Sequence, residues 1–199
     1  MRLRFPLLVC ALLAFTPALA QAQDFGVMES AETINKGNFK IRGNPMFLFG
    51  KDLDATTGIA LAGGYGFTPR FDAEGNLAFY DGVTIFGGNG EYWLAKGRGL
   101  DFSAAGGLHW RRGDRTADIW GIDLTLLASK HLAPKFELYG GIDFGFEKVE
   151  NSSNYETVHL TPGVEYRLAP DLDLVSEFGI GLNRDSRHYF AIGLAFYVR

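Results

Sequence analysis

Between residues 38 and 198 apolar side chains recur at every second position. The clearest stretch follows the turn Leu132-Ala-Pro-Lys135. Phe136, Leu138, Gly140, Ile142, Phe144 and Phe146 fall on one side of it, and Glu137, Tyr139, Gly141, Asp143 and Gly145 on the other. Successive side chains of a strand point to opposite faces, so a period of two predicts a two-faced β-strand. The same alternation predicts strands over Asn38–Phe49, Thr57–Phe67, Arg70–Tyr80, Val83–Leu94, Leu100–Arg111, Ala117–Ser129, Tyr155–Leu168, Leu172–Leu182 and Arg187–Val198. Two are irregular. Pro45 cannot donate to a ladder and calls for a bulge or an unpaired position, and the run Gly87-Gly88-Asn89-Gly90 blurs the phase of its strand.

The connections carry a second period. Phe67-Thr-Pro-Arg-Phe-Asp72, Leu132-Ala-Pro-Lys-Phe-Glu137 and Leu168-Ala-Pro-Asp-Leu-Asp173 share one design, and all three follow even-numbered strands. Three like turns on one rim, together with about ten strands of about ten residues, predict an all-β fold: a closed antiparallel up-and-down barrel of transmembrane dimensions, with eight to twelve strands as the bounds.

Alternation does not by itself say which face is inside. A lipocalin-like barrel turns its apolar face inward around an apolar ligand, and a membrane barrel turns it out to lipid. The small residues decide. Ala60, Ala62, Gly64, Gly107, Gly121, Gly141, Gly145, Gly163, Gly179, Gly181, Ala191 and Gly193 crowd the charged face. A solvated outer face has no use for them, whereas a narrow lumen holding long ionic side chains does. The expected lumenal charge network is Lys40, Arg42, Asp72, Glu74, Asp101, Arg111, Asp123, Glu137, Asp143, Glu165, Arg167, Asp173 and Glu177, paired because buried charge is costly otherwise. Its acidic excess would favour cations.

The start of the chain follows another rule. Arg2 and Arg4, the apolar run Phe5–Phe15 and Ala18-Leu19-Ala20 form a secretory signal peptide over residues 1–20. Residues 21–37 have no period and are expected to be a periplasmic leader, which leaves 38–199 as the barrel. Removing Arg2 and Arg4 from the 19 Lys+Arg leaves 17 against 23 Asp+Glu, a net charge of −6 that argues against nucleic acid as partner. The single cysteine, Cys10, lies in the signal, so the remainder has no disulfide, thiolate metal site or cysteine nucleophile.

The alternation, the turns and the final strand Tyr189–Val198 together resemble the small outer-membrane β-barrel proteins of Gram-negative bacteria, the OmpA-like and porin-like barrels. The resemblance implies placement in the outer membrane, contact with its lipid and lipopolysaccharide, and insertion by the barrel-assembly machinery, which reads such a last strand. The chain ends Phe196-Tyr197-Val198-Arg199, whereas members commonly end on Phe. Some barrels of this kind are enzymes. Ser186-Arg187-His188 invites comparison with lipid A deacylases, but Phe190 stands where their serine would follow the histidine by two. Omptin-like proteases have longer outer loops. His109, His131, His159 and His188 lie on separate elements without metal-ligand spacing. The expectation is therefore a structural or narrow-pore protein with no catalytic residue, no cofactor and no metal. A soluble lipocalin-like barrel and a lipid A-modifying enzyme are the alternatives.

Overall fold

The computed structural model describes residues 25–50, 55–96, 99–113, 118–150 and 153–199. The expected signal peptide and its cleavage site lie outside these residues. Eleven strands form one sheet: β1 (Phe39–Phe49), β2 (Thr56–Thr68), β3 (Phe71–Tyr80), β4 (Val83–Lys96), β5 (Asp101–Gly113), β6 (Ile119–Ala133), β7 (Phe136–Val149), β8 (Tyr155–Leu160), β9 (Gly163–Ala169), β10 (Leu172–Gly181) and β11 (His188–Val198). Apart from β8 and β9, each pairs antiparallel with its neighbours in sequence, and β11 returns to β1 through Phe39↔Val198 to Phe49↔His188, which closes the barrel.

β8 and β9 are two halves of one stave. Both pair with β7 on one side and β10 on the other. The break falls at Thr161-Pro162, inside the stretch whose alternation predicts one continuous strand. Pro162 has no N–H to give, but the flanking groups carry the ladder across the gap: Thr161 N donates to Gly141 O at 3.0 Å, and Phe178 N donates to Pro162 O at 3.0 Å. Ten staves result. Pro45 is handled as the sequence requires, by dropping out of the β1–β11 register while remaining opposite Ile59 of β2.

The three proline turns lie on one rim with both ends of the barrel chain. Register shifts accompany them, between Gly66 and Thr68, His131 and Ala133, and Leu172 and Asp173. Tight turns on a staggered, tilted rim need such bulges.

Side-chain placement follows the orientation argued from the glycines. Phe39, Ile41, Leu61, Leu108, Ile122, Leu124, Leu126, Phe146, Leu194 and Phe196 are exposed on the outer wall, while Lys40, Arg42, Asp72, Glu74, Glu137, Asp173 and Glu177 are buried within. The lipocalin-like alternative fails here, because an apolar ligand would meet a charged interior. Burying one large apolar side chain is worth about 1.5–3 kcal/mol, so an outer surface of this kind requires hydrocarbon around it. Aromatic clusters mark its two edges. Phe39, Tyr65, Phe67 and Phe71 form a chain of ring contacts at 4.7–6.0 Å near the proline-turn rim. Phe86, Trp110 and Trp120 stack at 5.5–5.9 Å near the other. Amphipathic rings favour these interfacial depths.

The inward glycines accommodate specific partners. A Cβ on Gly179 would stand 1.8 Å from the Tyr189 ring, its cross-strand neighbour. Gly163 receives Tyr139, and Gly121 receives His109, in the same way. Gly179→Ala is therefore expected to overpack the lumen and cost about 1–3 kcal/mol, measured as a lower midpoint of the heat-induced gel-mobility shift. Gly63→Ala, on the outer face with nothing within 4 Å, should leave that midpoint unchanged.

Candidate functional site

Residues 25–37, expected to be a leader outside the barrel, are folded into it. Met28 and Ala31 are no more than 1% exposed, and Glu29, Ser30, Thr33 and Ile34 are buried. The segment enters at the proline-turn rim, where Gly37 N donates to Gly66 O at 2.8 Å and Gly66 N donates to Asn38 O at 3.1 Å. It then runs inward until Phe25 lies over Gly87 of β4. A short polar stretch has no ladder of its own, so its backbone groups need partners from the wall. They are charged ones. Val27 N and Met28 N donate to the two carboxylate oxygens of Glu177 at 2.8 and 2.7 Å, Ile34 N donates to Asp72 Oδ2 at 2.5 Å, and Arg42 donates to the carbonyls of Val27 and Met28 at 3.1 and 2.5 Å. Met28 takes a left-handed backbone, φ 52°, a conformation costly for a side chain with a Cβ and maintained here by those bonds.

The wall is shaped for this segment. A Cβ at Gly66 would stand 2.3 Å from Asn35 O and 2.4 Å from Ile34 O, and one at Gly64 would meet Ile34 at 2.7 Å. The glycines read as space for ionic side chains thus leave space for a second piece of chain as well.

The thirteen residues of the expected network fall into three groups. Near the proline-turn rim, Lys40 Nζ pairs with Glu74 at 2.7 Å, Arg42 lies 3.7 Å from Glu74 and 3.9 Å from Glu29, and Arg167 lies 3.5 Å from Asp173. Asp72, Asp101 and Glu137 are buried at this end, Glu165 is half-buried, and Arg167 is exposed. At mid-depth Glu177 binds the inner segment and accepts from Tyr189 Oη at 2.5 Å, while Asp143 accepts from Thr125 Oγ1 at 2.6 Å. Toward the far rim Arg111 is buried, and Asp123 is only half-buried, 2.6 Å from His109 Nδ1.

Several members have no counterpart in that expectation. Glu91 is buried on β4, where the glycine run hides the phase. Glu147 lies 3.5 Å from His109 Nε2 and accepts from Tyr155 Oη. Arg187 and His159 are buried together, with His159 Nε2 2.9 Å from Arg187 O. Between the ionic groups lies an apolar layer of Met28, Met46, Leu48, Ile85, Val175 and Tyr189. What remains open near the proline-turn rim is a polar cavity of about 190 Å³, lined by Glu29, Glu32, Asp72, Glu91, Glu137, Glu165 and Asp173 against Lys40, Arg167 and Arg199. Acidic residues outnumber basic ones around it. At its edge Glu32, His131 and Glu137 bring three ligand atoms within 4.8 Å of one another, although His131 is 99 residues from Glu32.

Burial pushes the Glu29 carboxyl well above the ordinary carboxylate range, and the neighbouring Glu74 adds to this, while Lys40 and Arg42 oppose it. A raised folded-state pKa means that docking is favoured while the group is protonated. This contribution is complete below the ordinary value of 4.5 and is lost as pH rises through the raised one. Proteolysis within residues 25–37 should therefore accelerate as pH rises from that value, and Glu29→Gln should flatten the dependence. Gly66→Ala should free the segment at every pH without opening the barrel, seen as rapid cleavage within 25–37 with an unchanged heat-shifted band.

The comparisons agree with this architecture. No curated protein matches the chain. Among solved structures, an outer membrane channel from Pseudomonas putida F1 superposes with a TM-score of 0.58 at 9% identity, covering 84% of this chain and 98% of that one. A bacterial polysaccharide outer membrane secretin gives 0.51 at 13% identity, covering 81% of this chain and 66% of the other. At such identities the likeness is one of fold. The model of the outer membrane protein beta-barrel domain matches residues 7–195, and the chain belongs to that family of outer-membrane barrels.

Proposed function

We propose that this protein is a non-catalytic outer-membrane barrel whose pathway is closed by its own N-terminal segment and favours small cations when that segment is displaced. The observation that carries this reading is the seating of residues 25–35 across the lumen, bonded to Glu177, Asp72 and Arg42. Ten staves enclose little more than the eight whose interior side chains alone can fill, and here part of the remaining space is taken by the inner segment of the chain. The acidic cavity at the proline-turn rim supports cation preference, since rings of carboxylates attract cations. Short turns ordinarily face the periplasm, which puts that mouth on the periplasmic side. Outer-membrane lipid and lipopolysaccharide would surround the apolar wall, after insertion by the barrel-assembly machinery.

A structural use for Ser186 and His188 supports the non-catalytic part. Ser186 Oγ donates to Val158 O at 3.0 Å and accepts from Val158 N at 2.8 Å, and His188 Nδ1 accepts from Gly181 N at 3.1 Å. Both side chains hold the β10–β11 connection to neighbouring strands.

The test is planar-bilayer recording of refolded protein. The intact chain should be nearly silent, and a variant lacking residues 25–35 should show small cation-selective steps, with Gly66→Ala intermediate. Equal conductance of the intact and shortened proteins, both with the heat-shifted mobility of a folded barrel, would refute the plug.

A further inference from the structure

We infer that Glu32, His131 and Glu137 form a binding site for a divalent transition-metal ion, zinc by preference, which fastens the inner segment to the barrel wall. The three come from separate elements. Glu32 belongs to the segment inside the lumen, His131 to the last turn-proximal residues of β6, and Glu137 to the first of β7. His131 Nε2 lies 3.2 Å from Glu32 Oε1 and 3.8 Å from Glu137 Oε2. Zinc bound tetrahedrally at about 2.0–2.2 Å from nitrogen and oxygen sets its ligands about 3.3 Å apart; both His131 contacts lie near that spacing, and the two carboxylates, within 4.8 Å of each other and of the imidazole, would close on the ion. One imidazole and two carboxylates leave a fourth position for water, a donor set suited to a borderline ion rather than to calcium or magnesium.

A second observation points to a ligand. Glu137 is 4% exposed and turns Oε2 toward His131, while its other oxygen, Oε1, has no hydrogen-bond partner. A buried carboxylate left partly unbonded is costly, and a cation held by the same group offsets that cost. The site is also reachable. The His131 side chain is 44% and the Glu32 side chain 33% exposed, at the edge of the acidic cavity that would concentrate cations. Because Glu32 lies in the inner segment and the other two in the wall, occupancy favours the docked state by the ratio of affinities in the docked and free forms. The site extends the plug reading and rests on the docked position of residues 25–35, but not on conduction.

The experiment is calorimetric titration of refolded, detergent-solubilised protein with zinc chloride, with magnesium chloride as control, followed by limited proteolysis of residues 25–37 with and without zinc. One saturable zinc site per chain is expected, weakened tenfold or more in His131→Ala and in Glu32→Gln, with zinc slowing cleavage in the intact protein alone. His131→Lys separates this from a plain ion pair: it keeps a cation between the two carboxylates but offers no imidazole, so it should retain basal protection and lose the zinc effect. No saturable zinc binding, binding unchanged in both variants, or equal binding of magnesium would overturn the site. A silent bilayer trace with intact zinc binding would leave the site standing and bear only on conduction.

Discussion

Hydrocarbon offers no hydrogen bonds, and this single fact orders the rest of the molecule. Every strand must pair along both edges within the chain, so β11 has to return to β1, and the wall has to bridge the gap at Pro162 through Thr161 and Phe178. Closure then divides the side chains into two populations. Those facing out must be apolar, and whatever is ionic must share the interior. A barrel of ten staves gives that interior little room, and the glycines opposite Tyr139, Tyr189 and His109 show how closely it is filled.

Charge inside such a space has to be satisfied locally. Lys40, Arg42 and Glu74 do so among themselves, whereas Glu177, which also accepts from Tyr189, and Asp72 face inward and accept from the backbone of the inner segment. The N-terminal segment supplies the donors, three backbone N–H groups, and receives Arg42 on its carbonyls in return. Neither part is complete alone. The segment lacks a ladder, and the wall offers it buried carboxylates that need donors, so docking answers both needs at once. The same logic applies to Glu137, a buried carboxylate with one oxygen unbonded and the other facing His131, where a cation would join it to Glu32.

Much of this is visible before any coordinates. Alternation around Phe136–Phe146 determines a strand because the pleat has a period of two. Glycine and alanine on the charged face determine the orientation, because only a crowded interior needs them. The proline turns determine one rim. Pro162 was also there to be seen, but a single residue out of phase does not disturb a long alternating pattern. Glu91 was obscured because glycines contribute no polarity to count.

Tertiary structure alone decided the remainder. Residues 25–37 carry no periodicity, since their partners are wall carboxylates rather than one another, and a sequence without a period reads as a leader. Gly64, Gly66 and Gly87 leave room that Ile34, Asn35 and Phe25 of the segment take up, which shows only once the chain is folded. Glu32, His131 and Glu137 meet only because closure and docking bring distant positions to one rim, and no spacing along the chain encodes that. What a strand does to its own side chains is local and legible; what fills the space that ten strands enclose depends on their summed shape and charge.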